Sequence, residues 1–426
     1  MFKNALKVLK DRGHIEWCSH EDELGALFQT EMVTAYVGFD PTAESLHVGH
    51  LIPIMALAWL QKCGHKPIPL AGMGTGLIGD PSGKSKERNL LTLEKVKENL
   101  EGVKEQLAHF LDFNCGANSA LMINNYDWLG GLTFLEVLRD VGKHFSVNSM
   151  IAREYVRSRL EDPEKSISYT EFSYVLLQAY DFLHLFTNHG CRLQMGGNDQ
   201  QGNIIYGVDL IRKKTGGSAF GATQPLLLTS SGNKFGKTEE GAVWLSPGRT
   251  SPYKFYQFWV NTEDESVERL LKLFTFLSLE EIAEIMDLHE KDRGRREAQK
   301  RLAKEVTIIV HGAEVADTVI AASSILFGDS FDPKELSGKM LSTLAEEVPA
   351  GRASREFPVL IPDLLAASGA CQSKSEARRL IKGGGLYING ERADDEARAV
   401  SEDDLLDGGY LFLRLGKKRF FMVNFD

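Results

Sequence analysis

The chain has 426 residues, 43% of them hydrophobic, 9% aromatic and 25% charged, enough to build two or three globular domains. Its net charge of −10 excludes a broadly basic nucleic-acid coat, so any RNA surface must be local. Scattered cysteines (Cys18, Cys63, Cys115, Cys191, Cys371) without a C-x-x-C pair imply neither a disulfide framework nor a zinc ribbon, and with no signal core and no apolar run of about 20 residues the expectation is a soluble cytoplasmic protein without a membrane partner.

Residues 1–33 mix helix-forming charges with Gly13 and Trp17 and read as a leading helix and loop. Residues 34–39 have the β-branched and aromatic content of a buried strand, closed by the turn residues Asp40 and Pro41. After the run Leu46-His47-Val48-Gly49-His50, residues 51–60 are apolar on nearly every side, which suits a buried helix with Pro53 near its start. A strand turning into a helix leaves unpaired N–H groups and a positive dipole end, which attract anions. His47 and His50 stand three apart on one face, and Gly49 lets a ligand sit against the backbone. Two imidazoles there can donate to a phosphate. Partly solvated polar residues are the alternative, and a zinc site lacks Cys or carboxylate partners at ligand spacing.

Residues 66–71 read as a second strand running into a glycine loop over 72–84. Strand, helix, strand and glycine loop point to a doubly wound α/β domain with ligands at the carboxyl ends of parallel strands. Gly74 to Gly79 match G-x-G-x-x-G, but that fingerprint needs a helix opening within the glycines, and Asp80-Pro81-Ser82-Gly83 continues the turn. Gly79 to Ser85 form a P-loop one residue short, which leaves a mobile cover with Lys84 and Arg88 reaching polyphosphate, or a solvated turn. Residues 91–111 read as a surface helix. Asn125 follows the apolar strand 120–123 and is a pocket residue or part of a turn.

Tyr174, Gln178 and Asp181 fall at i, i+4 and i+7 on an otherwise apolar helix. Buried polar groups need partners, so the stripe is a pocket for a ligand bearing an amine and a hydroxyl, or an internal hydrogen-bond network. Residues 191–195 read as a strand, and Asp199 in the loop after it suits a ribose hydroxyl. Residues 225–229 are strand-like, and Gly232 to Thr238 again fall one short of a P-loop. What remains is a loop with Lys234 and Lys237 three apart, able to neutralise a departing pyrophosphate.

From 251 to 328 the periodicity is helical; 329–357 read as a weakly structured linker. In the final segment Ser373 with Glu376 forms a capping box for a helix carrying Lys374, Arg378, Arg379 and Lys382. A strand over 386–389 and a hairpin around Lys417, Lys418 and Arg419 follow. A basic helix is RNA-binding or simply a solvated face.

His47-Val48-Gly49-His50 and the distant Lys234-Phe235-Gly236-Lys237-Thr238 resemble the two signatures of class I aminoacyl-tRNA synthetases, His-Ile-Gly-His and Lys-Met-Ser-Lys-Ser. The Phe-Gly-Lys-Thr variant, the Tyr-x-x-x-Gln-x-x-Asp stripe and the Gly-Asp-Pro-Ser-Gly-Lys loop are similar to the bacterial-type tyrosyl members, and the tail resembles a small RNA-binding domain named after a ribosomal small-subunit protein. The resemblance covers almost the whole chain. Two residues depart from the family: Gln201 stands for the usual Trp and Asn198 for Ser.

The resemblance implies a Rossmann-like catalytic domain (1–225), a lysine-signature loop with a helical domain (226–328), the linker (329–357) and an RNA-binding domain (358–426). It puts Tyr36 and Asp181 on the phenol of tyrosine, Tyr174, Gln178 and Asp80 on its ammonium, with Asn125 in the same pocket, and Gln200 near its carboxylate. Gly38, Asp40, Gly49, Asp199 and Lys237 would lie along ATP, while Thr42, His47, His50, Lys84, Arg88, Lys234, Lys237 and Thr238 would bind phosphate. ATP enters as substrate with Mg²⁺, with no resident metal or organic cofactor; L-tyrosine, tRNA-Tyr and a second copy of the chain are the expected partners. Two other readings compete. A P-loop or NAD enzyme fails on loop spacing, and a non-catalytic RNA-binding relative fails because both signatures keep their charged residues.

Overall fold

A six-stranded sheet carries the first half of the chain: β1 (Trp17–Cys18), β2 (Thr34–Phe39), β3 (Lys66–Ala71), β4 (Ile123–Asn124), β5 (Cys191–Gly197) and β6 (Phe220–Gln224), in the order β1-β6-β5-β2-β3-β4. The structure is a computed structural model and describes residues 3–82, 91–162, 166–228, 232, 235–238, 241–327, 338–407, 409–416 and 419–425. The strands are parallel except β1, which runs antiparallel to β6. The chain winds one way from β2 through β3 to β4 and the other way through β5 to β6, so the order reverses between β2 and β5. The rule for open α/β sheets puts ligands at the carboxyl ends of those two strands.

Helix α1 (Leu51–Lys62) is buried along most of its length, as its unbroken apolar run requires. Pro53 sits in its first turn, where a missing N–H removes no intrahelical bond. The glycine stretch after β3 is helical: α2 (Met73–Ile78) opens inside it and stops at Gly79, whose φ is +83°. Asn125 Oδ1 accepts from the Gly74 N–H at 2.7 Å, and this distant cap holds a segment whose composition alone favours a loop. Helix α3 (Leu93–Leu107) is the surface helix expected over 91–111. The strand expected over 225–229 lies earlier, at β6, and ends before Pro225, which cannot donate to the ladder.

Helix α4 (Tyr169–His189) begins at a reciprocal Ser168/Glu171 capping box and ends at left-handed Gly190. It packs on α5 (Gln201–Thr215), where Gly207 permits close approach; a Cβ there would lie 3.0 Å from the Phe182 ring. Phe182 is fully buried in the core with Tyr36, Ile68, Leu70 and Val175, and such burial contributes about 2 kcal/mol per large apolar side chain.

The chain divides into two compact units, Met1–Thr250 with Asn261–Leu302, and Ser251–Val260 with Ala303–Asp426. The segment 226–328 is therefore not a body of its own. Helix α6 (Asp264–Phe274) and its following turn stay with the first unit because Arg12 donates to the carbonyls of Lys272, Thr275 and Leu277, and Trp59 meets Phe276 edge-on at 5.4 Å.

The second unit holds helices Pro252–Val260, Ala313–Phe327 and Gly338–Glu347 and a sheet in the order Glu391–Arg392, Leu386–Ile388, Tyr410–Leu415, Arg419–Phe425, Ala350–Ala353. The weak linker expected over 329–357 is thus a helix and an edge strand from residue 338 on. Ala350–Ala353 pairs in parallel with 422–425, a partner invisible to local pattern. Among the described residues no helix is long and apolar enough to cross a membrane.

Candidate active site

The H-x-G-H run forms a single 3₁₀ turn, Val48–His50, leading into α1. His47 Nδ1 accepts from the Gly49 N–H and His50 Nδ1 accepts from the His47 N–H, both at 3.1 Å. With Nδ1 accepting, each neutral ring carries its proton on Nε2, so one turn holds two imidazole N–H donors. Burial, and then neighbouring His47, pushes the His50 imidazole down to about 3. It is a neutral donor at physiological pH. Gly49 is small for a reason other than ligand approach: a Cβ would stand 2.9 Å from the His47 ring.

The lysine-signature segment lies against this turn. Val48 N–H donates to the Val243 carbonyl, Val243 N–H to the Gly236 carbonyl and Leu245 N–H to the Leu46 carbonyl, each at 2.9 Å. Gly236, at φ +85°, lies so close that a Cβ would be 3.2 Å from Val48 Cβ and 3.3 Å from the Gly49 nitrogen. Trp244 meets the His47 ring edge-on, with Arg249 stacked over its indole at 3.6 Å. Lys237 and Thr238 form a two-residue strand paired with Gly241–Ala242. Lys84, Arg88 and Lys234 lie outside the described residues.

A second group closes around the carboxyl ends of β2 and β4. Asp181, 2% exposed, accepts from Asn125 Nδ2 at 2.9 Å and Trp128 Nε1 at 2.7 Å. Asn125 also donates to Thr75 Oγ1 at 3.0 Å, and that hydroxyl donates to Asp40 Oδ1 at 2.8 Å. A continuous relay thus joins Asp181 to Asp40. Burial raises the Asp181 carboxyl to about 7 against the two hydrogen bonds that lower it. The Tyr36 phenol is also buried, its pKa raised first by burial and then by Asp181, and its hydroxyl has no hydrogen-bond partner among the described residues. An unpaired phenol beside a carboxylate invites one further hydroxyl able to donate to one and accept from the other.

Next to it lies an amide cluster. Gln200 Nε2 donates to Asp80 Oδ2 at 2.6 Å, Gln178 Nε2 to Gln200 Oε1 at 3.2 Å, and Asn203 Nδ2 to Gln178 Oε1 at 2.8 Å. Tyr174 is buried on the same face of α4. Gly38 sits exposed in β2 with open space where a Cβ would project, and Thr42 and Asp199 are exposed.

The structure therefore gathers Asp40, Asn125 and Asp181 in one relay with the unpaired Tyr36 phenol beside Asp181, Asp80, Gln178 and Gln200 in another cluster, and His47 and His50 on one turn. Sequence reasoning misses Thr75, Trp128, Asn203 and Trp244. Trp128, three residues after Asn125 on the same short helix, is the one with a local signal. Asn198 links Glu16, at 3.1 Å, to Thr223, at 3.3 Å, and nothing in the structure explains Gln201.

In the C-terminal sheet domain the helix Lys374–Lys382 is N-capped by Ser373, but Glu376 bonds the Gln372 N–H, so the capping box is half formed. Lys374 pairs with Asp363 and Lys382 with Glu396, while Arg378 and Arg379 are exposed and pair with no acid among the described residues. Arg419 donates to the Ala370 carbonyl at 2.6 Å; Lys417 and Lys418 lie outside the described residues.

Comparison with known proteins places these features. Residues 29–328 match the family "tRNA synthetases class I (W and Y)", and residues 341–423 match "Tyrosine–tRNA ligase SYY-like C-terminal domain". A tyrosine–tRNA ligase of Anaeromyxobacter dehalogenans strain 2CP-1 is 51% identical over 423 residues, covering 99% of each chain. Tyrosine–tRNA ligase 1 of Bacillus subtilis is 46% identical over 424 residues, again 99% of each. The crystal structure of a C-terminally truncated mitochondrial tyrosyl-tRNA synthetase from Aspergillus nidulans superposes with a TM-score of 0.70 at 35% identity, covering 76% of this chain and 94% of that one.

Proposed function

The chain belongs to the class I tRNA synthetases of the tyrosine and tryptophan type, it acts as a tyrosine–tRNA ligase, and we propose that its residues divide the work as follows. L-Tyrosine enters with its phenol between Tyr36 and Asp181 and its ammonium among Asp80, Tyr174 and Gln178, with Gln200 by its carboxylate. ATP lies along Gly38, Asp40, Gly49 and Asp199, its phosphates reached by Thr42 and the Nε2 donors of His47 and His50. The tyrosine carboxylate oxygen attacks the α-phosphorus in line; the bond from that phosphorus to the bridging oxygen breaks and pyrophosphate departs toward Lys84, Arg88, Lys234, Lys237 and Thr238. A ribose hydroxyl of the terminal tRNA adenosine then attacks the tyrosyl carbonyl and AMP leaves. No covalent bond to the protein forms, so positioning and charge stabilisation supply the catalysis.

Mg²⁺ belongs with ATP as part of the substrate in this reading. Among the described residues no three His, Cys, Asp or Glu side chains gather into a metal site. We place the tRNA on the C-terminal domain, with Lys374, Arg378, Arg379, Lys382, Lys417, Lys418 and Arg419 on its phosphates, Arg378 and Arg379 having no competing acid among the described residues. A homodimer is supported by Phe134 and Leu135, which are 64% and 77% exposed, and by Val147 and Ile151, also exposed. The five free cysteines fit a reducing cytoplasm.

The observation that carries the tyrosine assignment is the unpaired Tyr36 hydroxyl beside Asp181. Phenylalanine would leave the Tyr36 hydroxyl unpaired, at about 1–3 kcal/mol for a buried polar group, and give Asp181 no donor beyond Asn125 and Trp128. Calorimetric titration tests this. Tyrosine binds the wild type at least about tenfold tighter than phenylalanine, and Tyr36→Phe narrows the gap. Equal affinity for the two amino acids in the wild type would refute the pocket.

A further inference from the structure

Asn203 is 1% exposed and sits behind the two glutamines proposed to read tyrosine's ammonium and carboxylate. Its Oδ1 accepts from Arg153 Nη2. Its Nδ2 faces three acceptors: Gln178 Oε1 at 2.8 Å, Gln200 Oε1 at 3.1 Å and Ser82 Oγ at 3.2 Å. Ser82 N–H in turn donates to Asp80 Oδ1 at 2.9 Å.

The orientation of every amide in this cluster follows from its two ends. A guanidinium has no acceptor, so Arg153 can meet only the oxygen of Asn203, which turns the Asn203 nitrogen toward the glutamines. Each glutamine must then present its oxygen to that nitrogen. At the far end Asp80 only accepts, so Gln200 must meet it through Nε2. From Arg153 through Asn203, Gln178 and Gln200 to Asp80 the hydrogen bonds thus run in one direction, from a cation to a carboxylate. An isolated glutamine amide would choose between two orientations of nearly equal energy; here the cluster chooses one.

That choice bears on the substrate. An ammonium group only donates, so it needs the Gln178 oxygen and Asp80, whereas a carboxylate only accepts and needs the Gln200 nitrogen. Both are the faces the Arg153–Asn203 pair dictates. A carbonyl oxygen has two lone pairs, so Gln178 Oε1 can hold Asn203 and still accept from a ligand. We propose that Asn203, oriented by Arg153, is a positioning residue that sets the polarity of Gln178 and Gln200 so that the pocket accepts an α-ammonium group. The proposal rests on the reading of Gln178 and Asp80 as the ammonium site.

Three ligands separate this role from support of the fold: tyrosine, tyramine, which keeps the ammonium and lacks the carboxylate, and 3-(4-hydroxyphenyl)propionate, which lacks the ammonium. Each is titrated into full-length protein, the last two in competition with tyrosine. Asn203→Leu keeps the branched side-chain shape and removes the amide. It weakens tyrosine and tyramine about tenfold and leaves the propionate within about twofold, because Asp80 still fixes the Gln200 nitrogen while Gln178 loses the donor that orients its oxygen toward the ammonium. Arg153→Met keeps Asn203 but frees its amide to turn, and it gives the same pattern at smaller amplitude. Melting temperatures recorded alongside show whether each variant folds. Equal weakening of all three ligands, in both variants, would make Asn203 a support of the fold and overturn the proposal, as would no weakening at all. Gln178→Ala distinguishes the two ways of failing. If it weakens tyramine and Asn203→Leu does not, only the role of Asn203 falls; if it leaves tyramine binding unchanged, the ammonium site itself is misplaced and the proposal falls with it.

Discussion

Gly236→Ala is the sharpest probe of how the two signature segments act together. Gly236 holds φ +85°, a region that costs an L-residue about 1–2 kcal/mol. Its new Cβ would sit 3.2 Å from Val48 Cβ and 3.3 Å from the Gly49 nitrogen, so one side must give by a few tenths of an ångström. The backbone at Gly236 is bonded through Val243 to Val48 at 2.9 Å for each link, so the displacement reaches the turn that aims His47 and His50. The expected total is about 2 kcal/mol of lost stability, partly relaxed into movement of the turn. In ATP–pyrophosphate exchange kcat should fall about tenfold, equivalent to about 1.4 kcal/mol at the transition state, while the KM for tyrosine stays near wild type because the tyrosine pocket is built elsewhere. A lowered melting temperature with unchanged kcat would refute the reasoning, since contact between the segments would then be structural only.

Four further outcomes follow from the same geometry. In the free enzyme Asp181 titrates at about 7, so kcat/KM for tyrosine should rise with pH through that value and level off above it: below it a proton occupies the oxygen that must accept the substrate hydroxyl, above it the carboxylate is available. A pH profile flat between 6 and 8 contradicts the assignment. Thr75→Val cuts the relay between Asn125 and Asp40 and should raise the KM for tyrosine several-fold, with Thr75→Ser restoring it; steady-state exchange kinetics measure both. A chain ending at residue 347 should exchange pyrophosphate within about twofold of full length yet lose most tRNA charging, because the basic helix is gone; parallel loss of both activities would mean that the tail supports the fold. Arg378→Ala with Arg379→Ala should weaken tRNA binding and reduce its salt dependence by about two counterions, as measured by filter binding across salt concentrations.

Much of the site was readable because α/β folds place function at strand ends. Residues 34–39, 66–71 and 191–195 have strand composition, and Asp40, directly after the first, Asp80, beyond helix α2, and Gln200, three residues past β5, belong to the candidate site. The Tyr174, Gln178, Asp181 stripe was visible because helical spacing is periodic. What stayed hidden depends on partners far along the chain. Thr75 gains its meaning from Asn125, fifty residues on, and Asp40, thirty-five residues back. Helix α2 forms against its glycine-rich composition because Asn125 caps it, and Ala350–Ala353 becomes a strand only beside 422–425. Gly49 shows a different limit: its need for no side chain was legible, but the group filling that space is the His47 ring.

The central claim is most directly tested by ATP–pyrophosphate exchange with the full-length protein and each of the twenty amino acids in turn. Tyrosine alone should drive exchange well above background, and Lys237→Ala should lower its kcat far more than it raises the KM for tyrosine, because the charge on departing pyrophosphate grows in the transition state. Exchange driven equally by another amino acid, or none with tyrosine, would contradict the account.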